Sequence, residues 1–105
     1  WIYEDAKVFG NAQVYGHAKV HGNAKVFNNA KVYSEAKVYG HAKVYDKARV
    51  YGDTEVYDNA QVLNNAKVYG NAEVNGDSQI FSNTNIHGDA KVSKTIVLGG
   101  DIYNS

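Results

Sequence analysis

The sequence predicts an all-β solenoid of triangular section, and three observations predict it. An aliphatic residue recurs at every sixth position, a small residue lies two places before it, and a pair of turn-forming residues separates one unit from the next. Stepping by six from Ile2 to Leu98 meets seventeen aliphatic residues without a slip, so the period is a property of the whole chain and not of a segment. The small column runs from Ala6 through Ala48 as alanine, then through Thr54, Ser78 and Thr84 to Ala90, and is broken only by Ile96 and Ile102.

Each strand follows from the local pattern. Between the small and the aliphatic residue sits a polar one, usually Lys, Gln, Arg or Glu, which gives the in, out, in alternation of extended chain. A helix is excluded because six is not a multiple of 3.6, and its valines would rotate around the whole cylinder. The corners follow from pairs such as Gly10-Asn11, Gly16-His17, Asn28-Asn29, Asp46-Lys47 and Gly70-Asn71, residues that tolerate a positive φ. Zero prolines suits strands whose N–H groups all find a partner.

The coil follows from what a hexad lacks. Such a short strand has one side to bury and no neighbour of its own, so three hexads must close a triangle and stack on the next at ~4.8 Å. Residues eighteen apart then lie above one another, giving just under six coils in a rod of roughly 27 Å. The expected organisation is a single domain over 1–105, regular through 92, with an irregular C-terminal end or partial cap over 93–105 where Gly99-Gly100 falls at a corner.

With these units placed, Val14-Tyr15-Gly16-His17-Ala18-Lys19 and Val68-Tyr69-Gly70-Asn71-Ala72-Glu73 resemble the hexapeptide-repeat family. The resemblance extends from Ile2 to Leu98 and implies a left-handed parallel β-helix. The repeat flavour looks most like uncharacterised bacterial and prophage-encoded repeat proteins. The family also contains acyltransferases and γ-class carbonic anhydrases, which use histidine as base or zinc ligand. Its acyltransferases commonly interrupt the coil with a protruding loop, and here the phase does not break before about Ser93. Fold does not carry function.

Composition excludes several classes. The chain has 105 residues, 44% hydrophobic and 21% charged, a composition that argues against disorder. No apolar run approaches the ~20 residues of a membrane helix. Zero cysteines removes disulfides and thiolate metal sites, and zero methionines makes Trp1 an expected trimmed or processed end. No targeting segment is visible, so a cytoplasmic or virion-associated setting is the working expectation. No cofactor is expected.

Sorting the outward residues by face yields two candidate surfaces. Phe9, Phe27, Tyr45, Leu63 and Phe81 form one apolar file, beside Lys7, Lys25, Lys43, Gln61 and Gln79, and are the expected contact face for a second copy or a protein partner. The competing explanation is self-stacking for local stability. Tyr15, Tyr33, Tyr51 and Tyr69 form the other, with Lys31, Arg49 and Lys67 each next to a tyrosine. That chemistry suits glycan rings, anions or single strands of nucleic acid, although a solvated, self-stacking ladder is the plainer reading. Zero net charge counts against nucleic acid. Ranks of outward threonine, as on ice-binding coils, are absent, because Thr54 and Thr84 fall in the inward column.

The histidines are the remaining chemistry. His17 and His41 occupy a corner slot that elsewhere holds Asn, Glu, Lys or Asp, while His21 and His87 occupy the slot after the aliphatic residue. His21 and His41 fall at the same corner in successive coils, without a visible third ligand. Charge is uneven: residues 1–50 carry eight basic and four acidic groups, residues 51–105 three and seven, so the halves are +4 and −4. The functional expectation is a non-catalytic spacer or interaction module. The alternative is an acyltransferase-like enzyme with a histidine in a site between subunits.

Overall fold

The computed structural model describes residues 2–80, 82–93, 96–97 and 101–104. It is a triangular parallel β-helix with extents of 31 × 21 × 20 Å, and no helix occurs among the described residues. None is therefore long and apolar enough to cross a membrane.

Seventeen short strands, β1 to β17 in chain order, deal themselves onto three walls in rotation. The first wall holds β1 (Lys7–Val8), β4 (Lys25–Val26), β7 (Lys43–Val44), β10 (Gln61–Val62), β13 (Gln79–Ile80) and β16 (Ile96–Val97). The second holds β2 (Gln13–Val14), β5 (Lys31–Val32), β8 (Arg49–Val50), β11 (Lys67–Val68), β14 (Asn85–Gly88) and β17 (Asp101–Asn104). The third holds β3 (Lys19–Val20), β6 (Lys37–Val38), β9 (Glu55–Val56), β12 (Glu73–Asn75) and β15 (Lys91–Ser93). Every pairing is parallel, and through β15 partners are eighteen apart, as in Lys7↔Lys25 and Val74↔Val92.

The main chain accounts for its polar groups coil by coil. Lys7 N donates to Ala24 O and Phe9 N to Val26 O, both at 3.0 Å. The corners pair as well: His17 N donates to Ser34 O at 2.8 Å and Asn29 N to Asp46 O at 2.9 Å. Such corners need a left-handed residue, supplied by glycine at Gly10 and Gly52 and by Asn28, Asp46 and Asn64 at φ near 60°.

Inside, the valine and alanine columns are fully buried from Ala18 to Ile86, so the alternation read from the sequence holds. The small-column hydroxyls of Thr54, Ser78 and Thr84 are buried too. Ser78 Oγ donates to Asn75 O at 2.7 Å, but Thr54 Oγ1 has no hydrogen-bond partner. An unsatisfied buried hydroxyl costs about 1–3 kcal/mol. Thr54→Val keeps the branched shape and removes that cost, and is expected to raise stability by about 1 kcal/mol in urea titration.

One sequence expectation is corrected at the C-terminal end. Hexad counting places Leu98 in the aliphatic column and Ile96 and Ile102 in the small one. Instead Ile80 pairs with Val97 and Ile86 with Ile102, intervals of seventeen and sixteen. Val97 and Ile102 thus take the aliphatic register positions, and Ile102 packs against the core. Unbroken hexad phase would have put Asn104 at an inward aliphatic position. The shortened interval keeps Ile102 in register with the buried Ile86, as a buried face requires. Leu98, Gly99 and Gly100 lie outside the described residues.

Candidate functional site

The slot after each valine turns every corner into a column of rings, because residues eighteen apart sit one strand spacing from each other. On the first corner Phe9 stacks on Phe27 at 4.9 Å between centroids and Phe27 on Tyr45 at 4.8 Å, both within 2° of parallel. Leu63 continues the file half-buried, and Phe81 lies outside the described residues. The stacked rings of Phe9, Phe27 and Tyr45 cover each other's faces and leave their edges outward. Only Phe9, with no ring above it, is 49% exposed.

On the second corner Tyr15, Tyr33, Tyr51 and Tyr69 stack in sequence at 4.9–5.1 Å, and His87 closes the column against Tyr69 at 5.0 Å. Beside them Lys31, Arg49 and Lys67 stand in register on β5, β8 and β11. Burial raises the Tyr33 and Tyr51 phenols above their ordinary range, and neighbouring tyrosines add to it, while the Arg49 charge pulls both back. Lys47, Arg49 and Lys67 line a groove of about 430 Å³ together with Asn65, Asn83 and Asn85. Among the described residues none of these cations has a carboxylate in ion-pair range; Glu4 Oε1 lies instead 3.4 Å from His21 Nδ1.

A third ring column escaped the sequence reading. Tyr3, His21, Tyr39 and Tyr57 stack at 4.7, 4.9 and 5.0 Å. Sorting positions 3, 21, 39 and 57 by eighteen would have found it; His21 disguised it. Tyr39 Oη donates to Glu55 Oε1 at 3.0 Å and Tyr57 Oη to Glu73 Oε1 at 3.5 Å. Burial first, then the Glu55 hydrogen bond and the nearby carboxylates, push Tyr39 far up. Tyr57 rises through burial and the charges of Glu73, Glu55 and Asp58. Tyr45 on the first corner rises through burial and Asp46.

These raised phenols set a pH dependence. The folded chain keeps their protons while the unfolded chain releases them near the ordinary value of 10.0. Their contribution to stability is therefore fully present below pH 10 and is lost as pH rises beyond it. Thermal melts between neutral and strongly alkaline pH are expected to show that decline, and Tyr39→Phe to make it shallower.

The four histidines are not brought together. His21 is held within the third column, while His41 lines a groove of about 1000 Å³ with Asp5, Lys25 and Lys43. His17 lines a separate groove with Glu35 and Asp53, and His87 ends the second column. The His21 ring is stacked between Tyr3 and Tyr39, and His41 sits two positions beyond Tyr39, at the turn. Among the described residues no three His, Cys, Asp or Glu side chains gather as a metal site.

No protein-family model, curated protein or solved structure matches this chain.

Proposed function

We propose that this chain is a non-catalytic solenoid module of the hexapeptide-repeat kind, a stiff spacer that pairs side by side with a second copy through the file Phe9, Phe27, Tyr45 and Leu63. The observation that carries the reading is the stacked, edge-out apolar file running along a wall of constant repeat. A straight file of even spacing is self-complementary, as a two-fold interface requires. Antiparallel pairing also sets the +4 half of one copy against the −4 half of the other.

Sedimentation velocity over a concentration series tests this. The wild-type chain is expected to dimerise reversibly, more weakly at high salt, and Phe9→Ser with Phe27→Ser to remain monomeric while keeping its β-type circular dichroism. A wild-type chain that stays monomeric throughout, or a double variant that dimerises equally well, overturns the proposal.

A further inference from the structure

We propose that the second corner binds a linear anionic polysaccharide, a polymer of hexuronic acid units, along Lys31, Arg49 and Lys67. This concerns a different corner from the pairing file and stands independently of it. The three cations occupy successive strands in strict register, an arrangement that destabilises a sheet through like-charge contact. Lys47 joins them from the preceding turn, and no carboxylate among the described residues comes within ion-pair range of any of the four. The charge is thus concentrated where nothing in the described fold neutralises it.

The surroundings select the kind of anion. Asn65 and Asn83 line the same groove, and the tyrosine column flanks the cation file, so amides and phenols stand beside the cations for sugar hydroxyls. A polyuronate carries one carboxylate and several hydroxyls per ring, which matches a cation file bordered by amides and phenols. Nucleic acid fits less well. The faces of Tyr33 and Tyr51 are covered by neighbouring rings, which leaves bases no platform to stack on. The first wall supplies an internal contrast: Lys7, Lys25 and Lys43 are also in register, but the groove they line includes the acidic Asp5, whereas the groove of Lys47, Arg49 and Lys67 is lined by no acidic residue.

Along the second wall the file reads Gln13, Lys31, Arg49, Lys67 and Asn85, so the cationic stretch is bounded by an amide at each end. Short oligomers therefore suffice as ligands. Calorimetric titration with tetragalacturonic acid is the test, with its methyl ester and oligothymidylate as comparisons. Binding is expected at low salt and to disappear at high salt or on esterification. Arg49→Glu is expected to weaken it about tenfold, and Lys67→Gln less. Lys25→Glu makes the same charge change on the first wall and is expected to leave affinity within about twofold. Absence of binding to the uronate, equal losses in Arg49→Glu and Lys25→Glu, or tighter binding of oligothymidylate each overturns the proposal.

Discussion

Gly52→Val is expected to lower stability by about 2–5 kcal/mol, read as a fall in the urea midpoint and melting temperature. Two costs combine. Gly52 holds φ at 76°, and a left-handed backbone with a Cβ costs ~1–2 kcal/mol, more for a β-branched side chain. A Cβ at this site would also lie 2.9 Å from both Gly70 N and Gly70 O, main-chain atoms of the next coil that cannot swing aside. Overpacking of that kind adds ~1–3 kcal/mol. The same corner carries Asp53 N donating to Gly70 O at 2.8 Å, so relief of the clash strains the pairing between coils.

Gly52→Asn is the informative companion. Asn28 and Asn64 adopt φ of 61° and 58° at an equivalent place on the first corner, which asparagine tolerates. Its loss is expected to be smaller than that of valine by at least ~1 kcal/mol. Equal losses in the two variants would mean that the corner conformation is not what limits the site.

The corners and walls could be read in advance because each depends on one local choice repeated. A small residue, a polar residue and a valine in order fix which side faces in, and eighteen-residue addition fixes what lies above. The unread features depend on contacts that break that addition. Tyr39 reaches Glu55 and Tyr57 reaches Glu73 across sixteen residues, a diagonal that no column displays. Val97 and Ile102 pair with Ile80 and Ile86 at intervals of seventeen and sixteen, which hexad counting misses because it assumes a constant length. The third ring column was hidden for a chemical reason: a histidine stacks as well as a tyrosine, yet invites reading as a base.

The same reasoning separates two adjacent residues. Val50 is fully buried between Val32 and Val68, in a column whose neighbours are alanine and valine. Val50→Asp would place a carboxylate there with no partner and no water, a cost of several kcal/mol even after the group neutralises itself. Set against a domain stability of about 5–15 kcal/mol, that is enough to abolish cooperative folding. Arg49, one residue earlier, points outward between Lys31 and Lys67. Arg49→Asp replaces two like-charge neighbours with two attractive ones, each exposed pair worth ~0.2–1 kcal/mol, so stability is expected to hold or rise slightly at low salt. Circular dichroism and urea titration of the two variants give opposite outcomes if alternation governs the wall. A Val50→Asp chain that melts like the wild type would remove the inward column, and with it the alignment that places Lys31, Arg49 and Lys67 in one file.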